Sequence, residues 1–143
     1  MRCLVVEDDF IQRRVMANFL APFGSVDIAV NGVEAVRAHT LAIRDEAPYD
    51  LILLDIHMPG MDGMDALVKL RQLENDAGTD PGSGARIVMT TSVDAAETIK
   101  DSFRKQCDAY LVKPVLRFDL IKQLREFDLI DRSLGIPEQP HFE

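Results

Sequence analysis

Glu7 with Asp8, then Asp55, Thr91 and Lys113, each close a short run of β-type apolar residues: Cys3 to Val6, Leu51 to Leu54, Ile87 to Met89 with Thr90, and Ala109 to Val112. Carboxylates, a hydroxyl and an ammonium are the groups that can hold a hard cation and handle a phosphoryl group carried on a carboxylate. If the acids meet, two of their charges ~5 Å apart repel by about 3 kcal/mol at an effective dielectric near 20. A divalent cation removes that conflict. Mg²⁺ suits the set, because it accepts a few carboxylates, keeps waters and takes up phosphate oxygens. All of this requires that residues scattered over the length of the chain be brought to one place.

The hydrophobic pattern supplies the means. Residues 2–7 form a continuous apolar run, the mark of a strand covered on both faces. Ile11, Val15, Phe19 and Leu20 recur at helical spacing, with Gly24 as a stop. Val26 to Val30 read as a second strand closed by the turn pair Asn31-Gly32, and Val33 to Ala47 as a second helix ended by Pro48. Leu51 to Leu54 is the most hydrophobic strand and belongs at the centre. A third helix over Gly63 to Glu74 carries Leu67, Leu70 and Leu73 as its inner stripe.

Asn75 to Gly84 has turn residues at most positions and almost nothing to bury, so an exposed, mobile loop is expected. Ile87 to Thr91 supply a fourth strand, residues 95–106 a fourth helix, and Ala109 to Val112 a fifth strand. A last helix from Leu116 to Leu129 buries Leu120, Ile121, Leu124 and Phe127. Repeated β-α units imply parallel strands joined by right-handed crossovers, with helices on both faces. The fold class is therefore α/β, a doubly wound five-stranded parallel sheet. In such a sheet the strand ends share one edge, and ligands bind there, where the strand order reverses.

The chain of 143 residues fits one domain, read as 1–130, followed by a tail over 131–143 with two prolines. Its 47% hydrophobic and 28% charged composition is that of a globular protein, and its formal charge of -8 disfavours nucleic acid and acidic membrane surfaces as partners. The N-terminal apolar run meets Glu7 too early for a signal peptide or membrane span, so a cytoplasmic location is expected. Cys3 and Cys107 are expected to be free.

Bland readings compete with the chemical ones. An acidic triplet such as Glu7-Asp8-Asp9 is ordinary helix-cap material, and Asp9 fits that role. His57 beside a metal site invites a ligand hypothesis, but imidazole suits zinc better than magnesium, which puts its side chain at the pocket mouth. His39 and His141 have no acid or cysteine at metal spacing and read as structural or exposed.

Five stretches in order resemble the receiver domains of two-component response regulators, especially the stand-alone chemotaxis-type members. They are Cys3-Leu4-Val5-Val6-Glu7-Asp8-Asp9, Ala29-Val30-Asn31-Gly32-Val33-Glu34-Ala35, Asp50 through Gly63, Ile87-Val88-Met89-Thr90-Thr91-Ser92, and Ala109-Tyr110-Leu111-Val112-Lys113-Pro114. The resemblance covers about residues 2–128. It implies the strand order 2-1-3-4-5 and a cis Lys113-Pro114 bond. It implies Asp55 as phosphoacceptor, Mg²⁺ held by Asp8, Asp55 and the backbone carbonyl of His57, and Glu7 acting through water. Lys113 and Thr91 would contact phosphoryl oxygens. Thr91 and Tyr110 would form the switch, altering the face made by the 95–106 helix, the fifth strand and the last helix.

The function so implied is a single-domain response regulator, phosphorylated by a sensor histidine kinase or phosphotransfer protein and signalling to an unknown downstream protein, with room for a phosphorylation-dependent dimer. Related receivers vary at the positions of His57 and Val93, which influence phosphoryl lifetime. Three alternatives stand beside it: a fragment of a longer regulator, a degenerate receiver that binds partners without phosphorylation, and a Mg²⁺-dependent aspartyl phosphohydrolase. The last typically has an aspartate two residues after the nucleophile, where this chain has His57; the degenerate form normally lacks an acid, the threonine or the lysine, and none is missing here.

Overall fold

The structure, a computed structural model, describes residues 1–92 and 106–131. Five strands form one sheet: β1 (Arg2–Val6), β2 (Ser25–Ala29), β3 (Leu51–Asp55), β4 (Arg86–Thr91) and β5 (Ala109–Val112). Four described helices alternate with them: α1 (Phe10–Leu20), α2 (Gly32–Arg44), α3 (Gly63–Asp76) and α4 (Arg117–Glu126). The strand order is β2-β1-β3-β4-β5, and every pairing is parallel. The helix expected over 95–106, Val93, His141 and the tail beyond residue 131 lie outside the described residues.

Strand alternation builds two cores from one sheet. Leu4, Val6, Ile52, Leu54, Ile87 and Met89 face α2 and α3, meeting Ala35, Ala42, Ala66, Leu67 and Leu70. Cys3, Val5, Leu51, Leu53 and Val88 face the other way, against Met16 and Leu20 of α1 and Leu120 and Leu124 of α4. All five residues of β3 are buried, as its apolar run required. A buried leucine is worth roughly 1.5–3 kcal/mol, so this strand anchors both layers.

Several boundaries and faces depart from the sequence reading. In α1, Met16 and Leu20 turn inward, while Ile11 is 71% and Val15 40% exposed. The apolar periodicity was shared by two faces of that helix, and only one packs on the sheet. Asn31, read as part of a turn, instead caps α2, its side-chain oxygen accepting from the Glu34 amide at 2.8 Å. That helix ends at Arg44, earlier than Pro48 demanded, because Glu46 takes a left-handed conformation (φ 56°) and the Ala47 amide closes back on Ala42. Asp9 is the N-cap of α1, accepting from the Gln12 amide at 2.9 Å.

The 75–84 segment is mostly exposed, as expected, and precedes β4, which puts it at the sheet edge opposite Asp55. Its base is not loose. Glu74, on the buried side of α3 where Leu73 was expected, accepts from the Ala85 amide at 2.8 Å and from Arg71 at 2.8 Å, and pairs with His39 of α2 at 3.1 Å. Arg71 also reaches Asp108 and the carbonyls of Ala85 and Gln106. A Cβ at Gly84 would collide with the Glu74 carboxylate, so a larger residue there would push that carboxylate away from its partners. His39 is thus structural, fully buried and stacked beside Tyr49.

Candidate functional site

Register brings the chemistry together. Val6 pairs with Leu54, so Glu7 and Asp55, one residue further on, are level at the carboxyl edge. Asp55 pairs with Thr90, and Thr91 with Val112, which sets Thr91 and Lys113 one step beyond on the next strands. The ladder continues past the strands: the Ile56 amide donates to the Thr90 carbonyl at 3.0 Å, and the Lys113 amide to the Thr91 carbonyl at 2.7 Å. Gly63 lets the 56–62 loop turn tightly beneath this edge, since a Cβ there would strike the Asp55 carbonyl.

Glu7, Asp8 and Asp55 offer carboxylate oxygens that all lie within 4.8 Å of one another. Lys113 Nζ is 3.1 Å from Glu7 Oε2 and 3.1 Å from Asp55 Oδ1, so one ammonium serves two nearly buried acids. Asp55 also accepts from the His57 amide at 3.2 Å, and Glu7 from the Asp9 amide at 3.2 Å. The Lys113-Pro114 bond is cis, as the resemblance implied. Thr91 is fully buried, its hydroxyl donating to the Ser92 carbonyl at 3.1 Å. Tyr110 pairs with Met89 and packs, half-buried, on the α2–α3 side of the sheet, the side to which alternation also assigns Thr91.

The electrostatics record the crowding. Burial, together with the Asp55 charge, pushes the Glu7 carboxyl up to about 7, although Lys113 and the Asp9 amide pull the other way. Burial alone would lower the Lys113 ammonium, but its hydrogen bonds to Glu7 and Asp55 outweigh that and raise it. Lys113 pairs with Glu7 and Asp55 but not with Asp8, so the three acids keep a surplus of negative charge, and a hard, oxygen-seeking divalent cation fits that donor set. The structure brings together Glu7, Asp8, Asp55, Lys113 and the His57 backbone, with Thr91 one strand position away. Sequence reasoning missed Arg13, whose guanidinium donates to the Glu7 carbonyl at 3.1 Å and the Asp8 carbonyl at 3.3 Å. Apolar side chains are exposed at this rim: Phe10, Ile11 and Val15 of α1, with Ile11 and Val15 lining a cavity beside Lys113, Pro114 and Val115, and Leu116 just beyond.

Fold and site together define a doubly wound α/β domain with an acidic, cation-ready pocket at the carboxyl edge of its sheet. Residues 3–125 match the response regulator receiver domain family, and the chain belongs to it. Receiver domains are the regulatory phosphoacceptors of two-component and phosphorelay signalling, working with histidine kinases or phosphotransfer proteins. The chain is 34% identical over 140 residues to the sensory/regulatory protein RpfC of Xanthomonas campestris pv. campestris, covering 96% of this chain but only 18% of that protein. It is 32% identical over 112 residues to the chemotaxis protein CheY of Halobacterium salinarum, covering 78% of this chain and 82% of that protein.

Among solved structures, a chain of the co-crystal of the Saccharomyces cerevisiae phosphotransfer protein Ypd1 with the receiver domain of its downstream response regulator Ssk1 superposes with a TM-score of 0.73 at 28% identity, over 88% of this chain and 87% of that one. The receiver domain of the Arabidopsis thaliana histidine kinase CKI1, complexed with Mg²⁺ and BeF₃⁻, superposes with a TM-score of 0.68 at 26% identity, over 87% of this chain and 89% of that one. Among the described residues, no helix is long and apolar enough to cross a membrane.

Proposed function

We propose that this protein is a Mg²⁺-dependent phosphoryl acceptor that uses Asp55 to switch a protein-binding face. The observation that carries the reading is the three-carboxylate cluster with Lys113 Nζ 3.1 Å from Asp55. Asp8 and Asp55, with the His57 carbonyl, would hold the cation, and Glu7 would act through water. When bound, Mg²⁺ neutralises charge on the transferring oxygens, which is most of what phosphoryl transfer asks of a protein.

A carboxylate oxygen of Asp55 forms the new O–P bond as the N–P bond of a phosphohistidine donor breaks. Lys113 then exchanges its contact with Asp55 for a phosphoryl oxygen, and the Thr91 hydroxyl turns from the Ser92 carbonyl to another. The space that Thr91 leaves lies on the Tyr110 side of the sheet, so Tyr110 can move inward and change the face around β5 and α4. The apolar rim of Phe10, Ile11, Val15 and Leu116 supports a protein as phosphodonor rather than a small molecule alone. The CKI1 complex with Mg²⁺ and BeF₃⁻ supports the cofactor, and the Ypd1–Ssk1 complex the class of donor.

Incubation with Mg²⁺ and either acetyl phosphate or a phosphorylated phosphotransfer protein is expected to add one phosphoryl group, read by intact-protein mass, and chelation by EDTA to prevent it. No increment with either donor would overturn the reading. Lys113→Ala is expected to lose phosphorylation-dependent partner binding while Mg²⁺ binding is kept or tightened, because the ammonium acts on the phosphoryl oxygens and competes with the cation for Glu7 and Asp55. Calorimetric Mg²⁺ titration beside a pull-down with beryllofluoride-treated protein checks this; equal losses would contradict the assigned role.

A second reading is favoured by the RpfC match, in which nearly all of this chain aligns to 18% of a longer protein. It is a receiver module acting inside a relay. Faster phosphorylation by a phosphotransfer protein than by a histidine kinase would support it.

A further inference from the structure

We propose that Arg13 is a positioning residue that aims the Asp8 carboxylate at the cation site, an inference that rests on the Mg²⁺ reading above. The three acids of the cluster are not held alike. Glu7 is fixed by Lys113 and the Asp9 amide, and Asp55 by Lys113 and the His57 amide. Among the described residues the Asp8 side chain, which is exposed, has no hydrogen-bond or ion-pair partner. Its direction is therefore left to the backbone.

Arg13 controls that backbone. The Glu7 carbonyl belongs to the peptide before the Asp8 Cα and the Asp8 carbonyl to the peptide after it, and the Arg13 guanidinium donates to both, at 3.1 and 3.3 Å. Pinning both peptide planes fixes φ and ψ at residue 8, and with them the Cα–Cβ direction. The helix gains nothing from this placement. Arg13 lies in the first turns of α1, where a cation opposes the helix dipole. Nor does the guanidinium form an ion pair among the described residues; its other contact is the Phe10 ring, 5.5 Å from its carbon centre. Both bonds come from one terminal nitrogen, Nη1, which carries two N–H donors and so can serve two carbonyls at once.

Two effects of opposite sign separate the proposal from plain electrostatics. A positive charge beside the pocket repels a divalent cation, so its removal alone would tighten Mg²⁺ binding. Loss of positioning would loosen it. Arg13→Met, which keeps an apolar stem over Phe10, is expected to weaken Mg²⁺ binding roughly tenfold, in the range seen when groups behind metal ligands are removed. Arg13→Lys is expected to recover part of the loss.

In an Asp8→Ala background, Arg13→Met is expected to change Mg²⁺ affinity less than twofold, since nothing remains to be aimed. Calorimetric Mg²⁺ titration of the five proteins is read alongside metal-free thermal unfolding, which is expected to place Arg13→Met and Arg13→Lys near the parent. Unchanged or tighter binding by Arg13→Met overturns the proposal, as does an equal loss in the Asp8→Ala background. If a variant fails to fold, Mn²⁺ binding to the remaining Arg13 variant, read by electron paramagnetic resonance, separates the same outcomes: weaker binding than the parent supports positioning, and unchanged or tighter binding overturns it. Absence of Mg²⁺ binding by the parent itself would instead remove the functional reading, and this inference with it.

Discussion

Asp55→Ala is expected to abolish phosphoryl incorporation completely, with acetyl phosphate and with a phosphorylated protein donor, while the metal-free protein stays at least as stable as the parent at neutral pH. The first half follows from chemistry: among the described residues, no other carboxylate stands where Lys113 and the His57 amide converge. The second follows from charge. Asp55 helps to raise the Glu7 carboxyl to about 7, so removing it relieves a repulsion, and Lys113 keeps its 3.1 Å contact with Glu7. Functional sites often carry such a cost in stability. Mass spectrometry reads the first outcome and urea unfolding the second. A residual increment in the variant would place the acceptor elsewhere.

Glu74→Ala is expected to destabilise the fold by about 3–5 kcal/mol, the range for removing one partner of a buried ionic network. The side chain is 7% exposed as a residue, and its loss strands His39, one Arg71 contact and the Ala85 amide together. Glu74→Gln keeps the shape and an acceptor but turns an amide group toward these donors, so a smaller loss of about 1–3 kcal/mol is expected. Shifts in the urea midpoint at constant slope measure both.

The same group sets an acid limit. Burial would raise the Glu74 carboxyl, but hydrogen bonds from His39, Arg71 and the Ala85 amide, with the Arg71 charge, hold it at about 2, against 4.5 when unconstrained. Its contribution, on the order of 3 kcal/mol, is complete above pH 4.5 and is lost as the pH falls toward 2. The parent should therefore lose stability faster than Glu74→Gln across that interval. Parallel curves would show that the network does not depend on the charge.

How much of this was readable beforehand differs from residue to residue. The apolar runs before Glu7, Asp55 and Lys113 announced strands and put polar groups at their ends, because alternation and burial are local properties of a few residues. Asp9 as a helix cap was readable for the same reason. The inner face of α1 was not: Ile11 and Val15 fit the helical period as well as Met16 and Leu20 do, and only docking against the sheet chose between them. Glu74 was hidden by its charge. It continues the Leu67–Leu70 stripe at the next helical turn, but a glutamate is assigned outward unless its partners are known, and those are His39 of α2, Arg71 one turn back on α3 and the Ala85 amide just before β4.

From the chain alone, then, follow the alternation of strands and helices, the doubly wound class, and the set of acids, hydroxyl and ammonium available for phosphoryl chemistry. Tertiary structure decided which of these touch. Placing β1 between β2 and β3, in the register that sets Val6 against Leu54, levels Glu7 with Asp55, and β4 and β5 then bring Lys113 within 3.1 Å of both acids. Arg13 over the carbonyls of residues 7 and 8, and Glu74 beneath Gly84, belong to the same category. The reason is physical: periodicity is fixed by neighbours in sequence, whereas contact depends on crossovers and packing between segments that the sequence holds far apart.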